Sequence, residues 1–286
     1  MSTTTRAISK SDLIAKIEHG YVATRAVLDA LPAERWDEAL PAGWTLKEMV
    51  GHLAYWEGTV PPFVEAQRSG VARPSSGSVD EQNAKAAAAA KQLTRDDALE
   101  QLEGAHARII ELVSSLTDEE LADDRFAPKL AGDTYEHYPD HFADLGAAIR
   151  SSKELADVAG RAWIPFRLAI LSLGIPTLDA QTSSGWTYKD LVAHVAAWFD
   201  LTIDRLGHFR TTGETKGSGG EADDINAGIV ERTRGRDARE ILAQLDASMA
   251  RLLEEIRKVD DTQIHANDGW VIAIVAGNSY GHFAEH

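Results

Sequence analysis

Three histidine positions occur twice in this sequence, in the same order and with nearly the same spacing. The two sets are His52, His137 and His141, and then His194, His282 and His286. In each set the last two residues are four positions apart, and on a helix this places both rings on one face. Three histidines with no fourth protein ligand are typical of a catalytic metal site that keeps an open coordination position.

Each histidine set lies in longer repeated segments. Residues 43–56 and 185–198 align without a gap at an offset of 142, and residues 135–141 and 280–286 align at an offset of 145. A lone histidine on an apolar helix face is more often a buried residue bonded to the backbone. Recurrence of all three positions in register favours a metal-binding role over that simpler interpretation.

The helix that carries the first histidine of each set has a recognisable start. Thr45 with Glu48, and Thr187 with Asp190, have the spacing of a capping box, in which a hydroxyl and a carboxylate satisfy free backbone N–H groups. We therefore predict a helix from about Thr45 to Arg68 and an equivalent helix in the second half of the chain.

In the first half, two further histidines and one proline break the symmetry of the repeat. His19 and His106 have no counterparts, so we predict that His19 lies at the surface or serves packing and that His106 is exposed. Pro139 lies between two candidate ligands, and because proline removes a helix hydrogen bond we predict a short or distorted turn there. The second repeat has Ala284 at this position and needs no such distortion.

Aromatic and amide residues next to the histidines are candidates for binding a substrate. Trp56 and Trp198 lie one helical turn beyond the first histidine of each set, and each is either a core residue or part of a site mouth. An equivalent pair of asparagines is explained by a cap or an interhelical hydrogen bond, with a site role as the alternative. The candidate substrate-binding residues are Trp56, Asn83 and Tyr135, and Trp198, Asn226 and Tyr280.

Composition excludes several classes of function. The formal net charge of −16, without a cluster of Lys or Arg, argues against binding nucleic acid or anionic lipid. The absence of cysteine excludes disulfides, zinc–thiolate sites and a cysteine nucleophile, so any thiol must come from outside. The N-terminus lacks the apolar core of a signal peptide, and no apolar run approaches the roughly 18–20 residues that span a bilayer. We predict a soluble, cytoplasmic protein.

The internal repeat predicts two domains, 1–150 and 151–286, each built from helices. Helical periodicity dominates throughout, and strand signals are weak, so the predicted fold class is all-α. No Gly/Ser linker separates the halves, and we expect them to pack on each other. A homo-oligomer is also compatible with the sequence.

The repeated motifs resemble those of the DinB-like four-helix bundles, a superfamily of metalloproteins. The resemblance rests on the Gly-Trp-Thr helix start, the following histidine, an Asn-Ala helix and the endings Ala131–His141 and Ala276–His286. These endings are most similar to the branch that includes the colibactin self-resistance proteins. The resemblance implies two tandem up-down-down-up bundles, each with a divalent metal, commonly zinc or nickel, on its three histidines. It also implies a low-molecular-weight thiol such as mycothiol or bacillithiol as a cofactor in several branches.

Two functions follow from the motifs and the resemblance. The first is a metal-dependent transferase or hydrolase for detoxification or resistance. It would act on a small electrophile or toxic natural product by activated thiol transfer or by water addition. The alternative is a binding protein that sequesters a small molecule without turnover. The first repeat has Asp133 and Glu136 where the second has Asn278 and Gly281, and more residues follow His141 than follow His286. We therefore predict that the first site binds metal more tightly.

Overall fold

The computed structural model describes residues 9–71, 76–123, 125–182 and 185–283 of the chain. Within these ranges the regular structure is helical, and β-type pairing is limited to two isolated bridges, Ala39 with Thr45 and Gln181 with Thr187. The prediction of an all-α fold is confirmed. None of the helices in these ranges is long and apolar enough to cross a membrane.

Internal contacts divide the chain into two compact units. The first contains the described residues up to Arg25 and those from Leu31 to Ala148, and the second contains Ala26–Ala30 and the described residues from Ile149 onwards. Each unit repeats one plan: a long first helix, a capped second helix with a histidine, a shorter third helix, a long fourth helix and a final segment with histidine.

The first unit begins with long α-helices and ends with short ones. A 3-10 turn, Ala33–Arg35, follows the first helix. The helices are α1 Lys10–Ala30, α2 Leu46–Ser69, α3 Val79–Ala90, α4 Arg95–Ser115, α5 Asp118–Leu121, α6 Ala127–Gly132, α7 His137–Asp140 and α8 Phe142–Ala147.

The last helix of the second unit is interrupted by non-helical backbone at Asn267, Asp268 and Gly269. The 3-10 turns of this unit are Ile175–Asp179 and Asp261–Gln263. The helices are α9 Ser152–Leu173, α10 Tyr188–Thr212, α11 Ala222–Thr233, α12 Ala238–Arg257 and α13 Ala266–Asn278.

Both predicted capping boxes form. Thr45 accepts a hydrogen bond from the backbone N–H of Glu48 while the Glu48 carboxylate accepts one from Thr45, and Thr187 pairs with Asp190 in the same way. Because these caps fix where α2 and α10 begin, they also fix the rotation at which each helix presents its histidine seven residues later.

An apolar cluster holds α1, α2 and α4 of the first unit together below the histidine segment. Ile110, Phe63 and Tyr135 are partly buried against it. Its buried members are Leu13, Ile17, Val60, Val64, Ile109, Val113, Leu116, Leu121, Phe126 and Leu130. Burial of such side chains is the main source of stability for a helical domain, at roughly 25 cal/mol per Å² of apolar surface.

A glycine next to the first histidine sets how closely α3 approaches α2. A methyl group on Gly51 would lie 2.4 Å from the side chain of Ala90 on α3, which is far inside van der Waals contact. We predict that Gly51→Ala lowers the free energy of unfolding by about 1–3 kcal/mol, since it overpacks this contact.

The matched control for Gly51→Ala is Gly58→Ala in the same helix, where an added methyl group meets no atom within 4 Å. There we expect a gain of about 0.5–1 kcal/mol from helix propensity. Urea denaturation of both variants checks the pair. Equal stability of the two would contradict the packing argument.

Candidate metal centre

The first ligand candidate is held inside α2. His52 is 4% exposed. Its ring lies 4.8 Å from that of Trp44, centroid to centroid, and 6.3 Å from that of Trp56. Trp44 comes directly before the helix cap, so the same turn that starts α2 also packs against the histidine.

The other two candidates lie on a segment where regular helix breaks down. The hydroxyl of Thr134 donates to the carbonyl of Leu130, four residues earlier, and the N–H of Glu136 donates to the carbonyl of Ala131, five residues earlier, at 3.1 Å. The chain then forms only the four-residue helix α7, and α8 starts after His141. The distortion predicted around Pro139 is confirmed.

The same break occurs in the second unit, where no proline occupies that position. Ser279 donates to the carbonyl of Val275 at 2.5 Å, and the N–H of Gly281 donates to the carbonyl of Ala276 at 2.9 Å. The expectation of an undistorted second ending is therefore wrong for the part that the structure describes, since α13 ends at Asn278. The hydroxyl that bonds back to the preceding turn, present in both repeats, accounts for the break.

The three histidines of the first unit converge through their Nε2 atoms. The Nε2 of His137 lies 2.9 Å from that of His52 and 3.2 Å from that of His141. The three ring centroids are 4.8–5.0 Å apart. Among the described residues, these three form the group of side chains that could hold a metal ion.

Electrostatics keep these rings neutral. Burial, followed by the charges that His137 and His141 would carry, lowers the pKa of His52 to about 3, while the nearby Asn83 opposes the shift weakly. Burial and His141 lower the pKa of His137 to about 4. Burial also lowers the pKa of His141, against the opposing effect of Asp144.

Neutral imidazoles facing one another match the needs of a divalent cation. A neutral imidazole carries its one proton on Nδ1 or on Nε2. With that proton on Nδ1, the three Nε2 lone pairs are free to bind one cation. Ligand bonds of about 2.0–2.1 Å in a tetrahedral zinc site separate neighbouring nitrogens by about 3.3 Å, close to the spacing between the Nε2 atoms of these rings. The three residues therefore fit such an ion.

A set of polar residues borders the first histidine cluster. The Trp56 indole N–H donates to the side-chain oxygen of Asn83 at 2.9 Å, which is the interhelical hydrogen bond expected as the simpler role of Asn83. The ammonium group of Lys129 lies 5.1 Å from the Trp56 ring centroid and pairs with Asp133. Asp133 also accepts from Thr59 at 2.9 Å. In the second repeat Ile274 and Asn278 take the positions of this ion pair.

The second unit brings two of its three predicted ligands together. The Nε2 atoms of His194 and His282 are 3.1 Å apart, and both side chains are buried. Trp186 packs against His194 at 5.4 Å between centroids, and the Trp198 N–H donates to Asn226 at 2.9 Å. His286 lies outside the described residues.

Other predicted site residues have different surroundings. Tyr135 packs against the apolar cluster, with the ammonium group of Lys16 lying 5.4 Å from its ring centroid. Tyr280 is fully buried, and burial raises its pKa. Glu136 is exposed. The Asp144 carboxylate lies 3.7 Å from the Nδ1 atom of His141, a position suited to orienting that ring. Substrate contact by Tyr135 and Tyr280 stays a prediction.

The prediction that His106 is exposed is wrong. Its side chain is 6% exposed and stacks on the ring of Tyr21 at 3.8 Å and 6°. Its Nε2 atom lies 3.4 Å from the carboxylate of Glu18, and its Nδ1 atom lies 3.6 Å from that of the buried Glu57. Glu57 in turn accepts a hydrogen bond from the Tyr138 hydroxyl at 2.7 Å. His106 is buried because α4 turns it towards two carboxylates, a contact that no local pattern reveals.

The second unit fills the corresponding layer with apolar groups. By repeat register Glu57, Tyr138 and His106 correspond to Phe199, Phe283 and Met249, and Tyr21 corresponds to Trp163. Phe283 stacks on Phe166 at 4.4 Å and 9°, and it lies 6.0 Å from Phe199. The two units thus combine a similar histidine arrangement with layers of opposite polarity.

Comparison with known protein families finds one matching family model in each half of the chain. Residues 16–147 match the model of the DinB superfamily. Residues 174–271 match the model described as the mycothiol maleylpyruvate isomerase N-terminal domain. Together these matches support a DinB-like superfamily assignment with tandem domains. Searches among curated proteins and among solved structures gave no significant match.

The buried His106 makes stability depend on pH at the alkaline side. Burial favours its neutral form, but the carboxylates of Glu18 and Glu57 outweigh that effect and raise its pKa to about 9. An unfolded histidine titrates near 6.5, so the stabilising charge is fully present below pH 6.5 and is lost as the pH rises through about 9. Tyr21 and Tyr138, whose pKa values are raised first by burial, stay neutral over this range.

We predict that His106→Met removes this dependence. Between pH 6.5 and 9.5 the wild-type chain should lose on the order of 2–3 kcal/mol more unfolding free energy than the variant does. Denaturation curves at several pH values measure both slopes. Parallel slopes would show that His106 is not charged in the folded protein.

Proposed function

We propose that this chain is a metal-dependent enzyme with one three-histidine centre in each domain. The ligands are His52, His137 and His141 in the first domain and His194, His282 and His286 in the second. The observation that carries the proposal is the convergence of three neutral imidazole nitrogens within 3.2 Å of their nearest neighbours in the first unit. Metal ligation by imidazole requires this neutral form.

The reaction we propose is attack by an external thiol or by water on a small electrophile or toxic natural product. A bound divalent ion would lower the pKa of a ligated thiol or water and would so generate a nucleophile at neutral pH. The chain has no cysteine of its own. Residues 174–271 match the model of the mycothiol maleylpyruvate isomerase N-terminal domain. This match makes mycothiol, or a similar low-molecular-weight thiol, the first candidate for the external nucleophile. Zinc or nickel is the metal we expect.

Substrate recognition is assigned to the residues around each histidine cluster. Trp56 with Asn83, and Trp198 with Asn226, form the same hydrogen-bonded pair beside their histidines. An indole face next to a polar amide suits a partly apolar small molecule. Tyr135 and Tyr280 complete the proposed set.

The first centre should be the stronger one. Asp133 opposes the lowering of the His137 pKa by burial, and Asp144 lies beside His141, so both carboxylates favour a cation on these rings. The helix α8 also starts directly after His141. Activity of the detoxification or self-resistance type, as in the colibactin branch, is the biological role we propose.

A second candidate function is sequestration without turnover. It is favoured by the two tryptophans that pack near the first histidine of each set, Trp44 and Trp56 in the first domain and Trp186 and Trp198 in the second. Such aromatic surfaces bind small molecules tightly whether or not chemistry follows.

We predict that His52→Ala lowers the metal content by about one ion per chain and removes most of the activity. His194→Ala should lower the metal content as well but leave most of the activity, because the first centre binds more tightly. Elemental analysis after dialysis against a weak chelator compares the two. A greater loss of metal or activity from His194→Ala than from His52→Ala would show that the second centre is the stronger one. An unchanged metal content in both variants would refute the metal proposal.

We also predict that turnover requires metal and a thiol together. The metal-loaded protein is incubated with electrophilic natural products, with and without mycothiol or bacillithiol, and products are followed by mass spectrometry. Loss of product on chelation, with recovery on metal addition, is the expected result. Stoichiometric binding with no product under any condition would favour sequestration.

A further inference from the structure

The segment that carries two of the first centre's ligands lacks the support of a regular helix. His137 is the first residue of the four-residue helix α7 and His141 follows its last residue, and the backbone break before α7 leaves few helical hydrogen bonds to hold it. Metal binding requires such ligands to keep a fixed separation from His52 on α2. Something outside the segment must therefore fix its position.

Tyr138, the residue after His137, fastens this segment to its surroundings. The Tyr138 ring occupies a slot at Gly20 on α1, where a methyl group would lie 2.8 Å from the ring. The side chain is 1% exposed, and its hydroxyl donates to Glu57 at 2.7 Å. The ring thus packs against α1, and the hydroxyl bonds to α2.

The acceptor of this hydrogen bond lies on α2, the helix that also carries His52. Glu57 is five residues after His52 on α2, and it is also 1% exposed. The Tyr138–Glu57 hydrogen bond therefore joins the two ligand-bearing segments directly. A bond between a hydroxyl and a buried carboxylate is short and strongly directional.

We propose that Tyr138 and Glu57 are the positioning pair of the first metal centre, holding His137 and His141 at ligating distance from His52. The proposal rests on the proposed metal function. It assigns no contact with substrate to either residue. His106, on α4, lies beside the Glu57 carboxylate and compensates for its burial.

The second unit shows that the fold does not require this polar pair. Phe199 and Phe283 occupy the equivalent positions, and they pack with Trp163 and Phe166. A buried ionic layer is often no more stable than an apolar layer of similar volume. A positioning role explains why the first unit contains a directional bond where apolar packing satisfies the second.

The test uses full-length protein with His194→Ala, so that the first centre is the one measured, and cobalt(II) as the probe. Tyr138→Phe removes the hydroxyl and keeps the ring. We expect its affinity for cobalt to fall about tenfold, with a weaker visible absorption band, because loosened ligands no longer enforce a tetrahedral site. Glu57→Gln keeps an acceptor for the hydroxyl, and its affinity and spectrum should stay close to those of the parent.

The matched control is Tyr21→Phe, which removes a hydroxyl bonded to Arg25 at 3.0 Å in the same unit and leaves the positioning pair intact. Its cobalt spectrum should equal the parent's even where its melting temperature falls. Should Tyr138→Phe unfold, the double variant Glu57→Phe with Tyr138→Phe copies the apolar pair of the second unit, and we expect it to fold and to bind cobalt weakly.

Parental affinity and spectrum in Tyr138→Phe, or in the double variant, would overturn the positioning role and leave the metal proposal intact. A change in the spectrum of Tyr21→Phe equal to that of Tyr138→Phe would reduce the effect to general destabilisation and also overturn the role. A parent protein that binds no cobalt would overturn the proposed metal function and the positioning role together.

Discussion

The convergence of three neutral imidazoles, one buried and two partly buried, is the constraint on which the first unit's structure depends. His52 is buried, His137 and His141 are partly buried, and the Nε2 atoms of the three rings face one another at short range. Such an arrangement persists only if rigid elements hold the rings together. The cap at Thr45, the close approach of α3 at Gly51 and the anchored segment around Tyr138 all serve that end.

The two units share their local structure around the histidines but differ in the side chains beneath them. Both have the capped helix, the Trp–Asn hydrogen bond and the same break before the final histidines. They differ one layer below, where ionisable groups of the first unit are replaced by aromatic and thioether side chains in the second. The close pair of histidines is thus common to both units while the layer beneath it differs, so each unit serves as a comparison for the other.

Much of this architecture could be predicted from the sequence because its signals are local. Capping boxes, helical periodicity and histidines four residues apart depend on neighbours along the chain, and the repeat doubled every signal. The Glu57–Tyr138–His106 layer could not be predicted, because its members come from three segments and meet only after folding. Trp44 was predicted only as part of the Gly-Trp-Thr helix start, although its recurrence as Trp186 could have indicated contact with the histidine.

The indoles beside each histidine cluster have an optical consequence. Four of the seven tryptophans of this chain have ring centroids 4.8–6.3 Å from that of His52 or His194. Open-shell ions such as nickel(II) or copper(II) quench indole emission at such range, whereas closed-shell zinc(II) does not. The protein therefore carries its own fluorescent reporter, one that distinguishes the electronic configuration of a bound ion without any label.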